Sequence, residues 1–163
     1  MQDGFTFLEL IIVLLLIALL ALFAVPQYRE FLDRHHAQGE VEQIVRAITL
    51  ARQQALLMRE TITVYPNDTW SAGFILQDKS HELISLIEFH HQAHIFLKTF
   101  PAGSENMIQF SASGMTKTQN GSFYYCPQNI NYAKRIVFNQ AGRVYVTTDE
   151  AQPMCLETPQ ESL

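Results

Sequence analysis

The first 28 residues contain no lysine or arginine, and residues 10–25 contain no polar residue. A secretory signal peptide would begin with basic residues and would end its apolar core at a small-residue cleavage site. This chain begins Met1-Gln2-Asp3-Gly4 and follows its apolar run with Pro26-Gln27-Tyr28-Arg29. The N-terminus therefore does not fit an ordinary signal peptide well. A signal peptide and a plain membrane anchor both stay as alternatives.

The chain also lacks the usual signatures of an enzyme. No glycine-rich phosphate loop follows a predicted strand, and no serine, cysteine or acidic pair stands in a nucleophile or acid–base pattern. The candidate metal cluster is His90, His91 and His94. On a strand, His90 and His94 would lie about 13 Å apart at ~3.3 Å per residue, which is too far for one zinc ion. We therefore expect no catalytic activity, no metal and no cofactor.

The unusual residue of the N-terminal run is Glu9. The stretch from Phe5 to Val25 would span about 31 Å as a helix at ~1.5 Å per residue, close to the ~30 Å hydrocarbon core of a bilayer. A carboxylate at that depth costs on the order of 2.5–3.5 kcal/mol. The nearest basic residue, Arg29, lies twenty positions later. A positive partner for Glu9 must therefore come from another chain or from a new amino terminus.

The segment Gly4-Phe5-Thr6-Phe7-Leu8-Glu9-Leu10, with the apolar run and Pro26, resembles the N-terminus of type IV pilins and type II secretion pseudopilins. The resemblance implies that a prepilin peptidase cuts between Gly4 and Phe5 and then N-methylates Phe5. It also implies that Glu9 attracts the N-terminal amine of a neighbouring subunit, because opposite charges interact strongly at low dielectric.

Two cysteines, Cys126 and Cys155, lie in the C-terminal part. In an exported domain they would form one disulfide. Closing a loop of about 30 residues would stabilise the domain by ~3–4 kcal/mol in the chain-entropy estimate. The alternative is two buried free thiols.

Apolar residues recur at steps of three and four from Tyr28 to Ala55, a spacing typical of an amphipathic helix. We expect one helix from about Phe5 to Arg59 or Glu60, bent at Pro26 because proline removes a backbone donor. Strands are predicted at 61–65, 70–77, 83–89, 93–99, 107–112, 114–126, 135–139 and 142–148. Pro66-Asn67-Asp68 should form a turn, Asn120-Gly121 a hairpin turn, and the chain after Asp149 coil.

The predicted fold class is α+β, with a long N-terminal helix packed on an antiparallel β-sheet domain, the type IV pilin-like fold. The chain divides into a leader (1–4), a transmembrane or filament-core helix (5–26), an amphipathic second half of that helix (27–60) and a β-rich domain (61–163). Residues 118–126 and 135–144 resemble the FimT/GspH-type domain of minor pilins and minor pseudopilins. The strand that ends in a cysteine and the later Gly-Arg turn are most similar to the FimT and FimU minor pilins.

Some FimT-like proteins bind DNA through a Gly-Arg-x-Arg motif. Here Gly142-Arg143-Val144-Tyr145 keeps the first arginine, and the acidic tail after it has no lysine or arginine, which opposes binding to phosphate. Candidate DNA contacts are Arg143, Lys134 and Arg135, and Tyr145 either stacks on a base or packs in the sheet. Alternatively, Arg143 braces the last hairpin or pairs with an acid.

The resemblance implies a minor pilin, a structural subunit of the initiating or tip complex of a type IV pilus. The alternatives are a minor pseudopilin of a type II secretion system and a DNA-binding competence pilin, and the cysteine pair favours the pilus. The implied partners are other pilins or pseudopilins, the prepilin peptidase and the inner membrane, with DNA as the weaker addition. The implied location is a single-pass inner-membrane protein with a periplasmic domain that later enters a pilus or pseudopilus.

Overall fold

One helix, α1 (Phe7–Met58), forms the first third of the chain. The computed structural model describes residues 7–89, 93–100, 106–117 and 120–157, without the side chains of residues 22–26. The described chain consists of two units that divide between His36 and Ala37. Helix α1 ends one or two residues before the predicted position, and Arg59 follows it with a positive φ of 54°, the left-handed conformation that commonly stops a helix.

The N-terminal unit contains the first part of α1. Its described side chains from Phe7 to Ala21 are all exposed, and from Gln27 to His36 all but the half-buried Leu32 are exposed. The rings of Phe31 and His35 contact each other edge to face, with their centroids 4.2 Å apart. The helix from Phe7 to Ala21 therefore presents a run of apolar side chains to its surroundings.

The second unit begins with the remainder of α1, whose apolar residues face a core. The buried side chains follow the predicted spacing of three and four: Ala37, Val41, Ile44, Ala47, Ile48, Ala51 and Ala55. Four of these seven side chains are alanines, whose small size lets the helix approach the strands closely.

Two antiparallel sheets of four strands complete this unit within the described ranges. The first has the order β3-β2-β1-β5 and consists of β1 (Ile62–Asn67), β2 (Thr69–Gln77), β3 (Leu83–Glu88) and β5 (Ile108–Phe110). The second has the order β4-β6-β7-β8 and consists of β4 (His94–Phe100), β6 (Asn120–Cys126), β7 (Lys134–Phe138) and β8 (Val144–Thr147). A short 3₁₀ turn (Ile130–Tyr132) precedes β7, and a second helix, α2 (Ala151–Glu157), follows β8.

The two sheets share one core. Trp70 packs edge to face on Phe74 and Phe123, with centroid distances of 5.4 and 5.1 Å, a geometry that aromatic pairs prefer. The hydroxyl of Ser71 accepts a 2.7 Å hydrogen bond from the backbone N–H of Ile95 and donates to its carbonyl at 3.3 Å. A side chain on β2 thus supplies the hydrogen bonds that a neighbouring strand would give to β4.

The predicted hairpin turn at Asn120-Gly121 is wrong. Both residues lie in β6, where Gly121 pairs with Thr99 of β4 and with Phe138 of β7. A Cβ at Gly121 would collide with the ring of Phe138. The glycine is therefore present to admit an aromatic ring and not to permit a turn. The predicted turn at Pro66–Asp68 is also shorter, since Pro66 and Asn67 remain in β1 and Asp68 alone has a positive φ of 69°.

The predicted coil after Asp149 is also wrong, because residues 151–157 form α2. Proline is tolerated at the start of a helix, where its missing N–H would have no intrahelical partner, and Pro153 is the third residue of α2. Ala151 and Cys155 are buried. This helix is too short to be stable by itself, so its contacts with the sheet hold it in place.

Candidate functional site

The first candidate surface is the exposed start of α1. Glu9 lies in its first turn and is itself exposed, as are its apolar neighbours Phe7 (78% exposed) and Leu8 (68% exposed). Gly4 and Phe5, the predicted cleavage and methylation residues, lie outside the described residues. Pro26 lies within α1, and its predicted bend stays a prediction.

This surface continues along the helix. Every large apolar side chain described between Leu10 and Leu20 is between 45% and 70% exposed. A contiguous apolar surface of this length on one element marks a site of interaction with a membrane or a protein. Within the described residues, however, no helix combines the length and the apolar character that a membrane crossing needs.

The second candidate surface is the turn between β7 and β8. The carbonyl of Asn139 accepts a hydrogen bond from the N–H of Gly142 at 2.8 Å, and its side-chain Oδ1 accepts one from the N–H of Arg143 at 3.0 Å. Gly142 has a positive φ of 73°, a conformation that glycine adopts without steric cost. The turn thus fixes the backbone from which Arg143 and Tyr145 project.

Arg52 of α1 lies against this turn. Its Nε donates to the carbonyl of Gly114 at 3.1 Å. A Cβ at Gly142 would stand 2.3 Å from the carbonyl oxygen of Gly114 and 2.7 Å from the same Nε, so that any other residue would strike both the acceptor and the donor of this hydrogen bond. The absence of a side chain at Gly142 therefore makes room for Arg52.

Helix and turn together enclose a groove of about 500 Å³, which we call the arginine groove. It is lined by Thr49, Arg52, Gly142, Arg143, Val144 and Tyr145. Its two charged lining residues are both arginines, and among the described residues neither forms a salt bridge. Tyr145 pairs with Val137 in the second sheet, where β8 is the edge strand, and its side chain is 55% exposed.

Arg135 is held on the sheet and does not line the arginine groove. Its Nε donates to the hydroxyl of Ser122 at 3.0 Å, and its guanidinium forms a salt bridge with Glu150 and lies 5.6 Å from the centroid of the Tyr124 ring. Lys134 is half-buried and does not line the groove either. Of the three predicted DNA contacts, the groove contains only Arg143.

The disulfide between Cys126 and Cys155 is present, with Cα atoms 5.6 Å apart. It joins the end of β6 to α2. The two cysteines form a small second core with Tyr124, Ala133 and Ala151, on which Phe96, Ile130 and Met154 also pack. Burial raises the pKa of the Tyr124 hydroxyl, and the charge of Arg135 partly opposes this shift. The disulfide thus fixes α2 on the outer face of the second sheet.

One polar contact ties α1 to β6. The hydroxyl of the buried Tyr125 donates to Oε2 of Glu40 at 2.5 Å. Burial, and then the hydrogen bond to the carboxylate, raise the pKa of Tyr125 well above its usual value. No local pattern indicates this pair, because the partners are 85 positions apart.

The sequence profile of the family described as "Type II transport protein GspH" matches residues 40–142, which is more than half of the chain. The chain belongs to the GspH family. The family predicted from the two sequence motifs is therefore confirmed.

The GspH-family chain is similar to curated and solved proteins of Pseudomonas aeruginosa. Two fimbrial proteins are each 35% identical over 75 residues, or 45% of this chain, and the matched segment spans about half (49%) of their own length. The crystal structure of the type IV minor pilin FimU has a TM-score of 0.55 at 20% identity, covering 72% of this chain and 92% of that chain. A second crystal form of FimU gives a TM-score of 0.52 at 19% identity and covers 68% and 91%.

The similarity to FimU shows the fold and no more. The predicted α+β architecture, with an N-terminal helix and antiparallel sheets, is confirmed.

His94 lies in β4 with its ring 5.6 Å from that of Phe96, whereas His90 and His91 lie outside the described residues. The described part of this GspH-family chain contains no group of three metal-ligating side chains.

Sequence reasoning missed the arginine groove, although it identified Arg143. The second arginine, Arg52, comes from α1, 91 positions earlier. A separation of that size leaves no local signal in one sequence.

Proposed function

We propose that this chain is a minor pilin, a structural and non-catalytic subunit of the initiating or tip complex of a type IV pilus. The observation that supports this most directly is the exposed apolar helix, with Glu9 in its first turn, in the same chain as a GspH-family domain. The FimU-like fold and the similarity to fimbrial proteins agree with it.

In this proposal, the prepilin peptidase cuts after Gly4 and methylates the new amine of Phe5. The helix is held in the inner membrane with the β-rich domain in the periplasm, and it then moves into the filament. Glu9 attracts the amine of Phe5 in an adjacent subunit. A carboxylate in hydrocarbon costs on the order of 2.5–3.5 kcal/mol, and an opposite charge a few ångströms away offsets much of that cost at low dielectric. The pair would set the axial position of one subunit against the next.

The role of Glu9 is tested with Glu9→Ala, using Glu30→Ala as the matched control because both glutamates are exposed residues of α1. Both variants should be cut and should reach the membrane. Only Glu9→Ala should be depleted, at least tenfold, from filaments sheared off the cell, since tenfold corresponds to only about 1.4 kcal/mol. Equal recovery of the two variants would contradict the pairing.

Processing is tested independently by mass spectrometry of the membrane form. The expected mature chain begins at N-methylated Phe5, and Gly4→Ala should leave the precursor uncut. An intact initiator methionine in the wild-type membrane form, with nothing trimmed or methylated, would refute the proposal.

The second candidate is a minor pseudopilin of a type II secretion system, which is favoured by the description of the matching family. A deletion strain separates the two candidates. Loss of surface pili with normal protein secretion supports the pilus, and retention of secreted enzymes inside the cell with normal pili supports the secretion system. The genes that lie beside this one would give the same discrimination without an experiment on the protein.

A further inference from the structure

We propose that the arginine groove accepts a carboxylate side chain from an acidic segment of a neighbouring subunit. The groove would thus be a second intersubunit contact, separate from the apolar start of α1. The identity of the partner as a subunit rests on the proposed function, whereas the preference for a carboxylate rests on the groove itself.

The first support is the charge of the groove. Arg52 and Arg143 both line it, together with the exposed Tyr145. The Nε of Arg52 donates to the carbonyl of Gly114. Among the described residues, no hydrogen bond or salt bridge engages the terminal nitrogens of Arg52 or the guanidinium of Arg143. A guanidinium presents parallel N–H groups that match the two oxygens of a carboxylate.

The second support is that one arginine is held in place before any ligand arrives. The hydrogen bond to Gly114 fixes Arg52, and Gly142 leaves room for this hydrogen bond because a Cβ there would collide with the carbonyl of Gly114 and with the Nε of Arg52. The turn that carries Arg143 is fixed by two hydrogen bonds of Asn139. Binding to such a preorganised site loses less conformational entropy than binding to two freely moving side chains.

The third support is complementarity of charge. The chain has 16 acidic and 11 basic residues and a net charge of −5. The lining of the groove, which contains two arginines and no acidic residue, therefore has a charge opposite in sign to that of the whole chain. A subunit of similar composition would offer many carboxylates to such a groove.

Nucleic acid fits these observations less well. Affinity for DNA grows with the number of phosphates that lysine and arginine neutralise, and the groove supplies two such residues. Arg135, which could have extended the positive surface, forms a salt bridge with Glu150. The sequence from Val144 to Leu163 contains four acidic residues and no basic one. The groove therefore favours a single carboxylate over a polyphosphate chain.

The test uses the full chain in detergent micelles, with the arginine Nε–Hε signals followed by NMR at 20 and 200 mM salt. The probe is a blocked hexaglutamate peptide, with hexaglutamine as the neutral control and a ten-residue thymidine oligonucleotide as the nucleic-acid control. Hexaglutamate should shift the Arg52 and Arg143 signals, and its binding should weaken at the higher salt. Arg143→Glu should weaken the binding at least fivefold. The matched control is Lys79→Glu, which makes the same charge reversal at an exposed turn residue. It should leave the affinity unchanged.

Four results would overturn the proposal: no shift at millimolar hexaglutamate, equal shifts with hexaglutamine, equal weakening by the two charge reversals, or tighter binding of the oligonucleotide. The last would assign the groove to nucleic acid. An assay in cells keeps this inference separate from the proposed function. If Glu9→Ala is lost from sheared filaments and Arg143→Glu is recovered normally, the proposed function stands and the intersubunit contact is refuted. If even the wild-type chain is absent from filaments, the proposed function fails, while the titration still decides what the groove binds.

Discussion

Reduction of the disulfide should weaken the second unit by an amount that the structure allows us to estimate. The bond joins residues separated by 29 positions. In the chain-entropy model, a loop of that size stabilises the folded state by about 3.6 kcal/mol at 25 °C. Replacement of both Cys126 and Cys155 by serine should therefore lower the free energy of unfolding by about 3–4 kcal/mol, a large fraction of the stability of a small domain.

The measurement is equilibrium unfolding in urea of the full chain in a mild detergent, followed by the fluorescence of Trp70. This is the single tryptophan of the chain and lies in the shared core, so it reports the second unit. The wild-type protein should lose the same free energy when a reductant is added.

The double serine variant is the control for this experiment, because reductant should not change its unfolding curve. A loss below about 1 kcal/mol on reduction would refute the reasoning. It would mean that the contacts of α2 with Tyr124 and Ala133 hold the chain without the covalent bond.

Three further predictions concern the core. Gly121→Ala should lower the free energy of unfolding by roughly 1–3 kcal/mol, because the added methyl displaces the buried ring of Phe138; a neutral result in urea would show that the ring moves freely. Gly73→Ala should be at least as destabilising, since Gly73 has a φ of 150° and a Cβ there would strike the carbonyl of Ile87, and unchanged thermal unfolding would contradict this. The raised pKa of Tyr125 means that the folded state holds its proton more tightly than the unfolded state, whose pKa is near 10. The protonated Tyr125 therefore contributes its full share to the free energy of unfolding below pH 10. That share decreases as the pH rises above 10, by up to ~1.4 kcal/mol per pH unit. Tyr125→Phe should lower stability at pH 8 and should lose less stability than the wild type between pH 10 and 11.5, and parallel losses would contradict the shift.

Features with a regular period could be predicted from the sequence. The spacing of Val41, Ile44 and Ile48 indicated which face of α1 is buried, and the structure buries that face. Alternating segments located the strands to within one or two residues at most ends. Both kinds of signal are local, since they depend on the 3.6-residue repeat of a helix and the two-residue repeat of a strand.

Features that depend on a distant partner could not be predicted. Asn120-Gly121 carries the usual local signal of a hairpin turn, but the ring of Phe138 needs the space that a glycine leaves in a strand. The polar segment after Asp149 has weak helical propensity, yet it forms α2 because the disulfide and the sheet hold it there. In both cases a tertiary contact outweighs the local preference.

The amino-acid sequence by itself determined the long helix, the glutamate near its start, the cysteine pair and the family. Each of these is indicated by particular residue types that lie a short distance apart in the sequence. Only the tertiary structure decided that Arg52 and Arg143 line one groove, that Tyr125 donates to Glu40, and that α2 covers the second sheet. These contacts join residues that lie far apart in the chain. Their geometry is fixed by how the strands pair and how the helix packs on them, which no local pattern encodes.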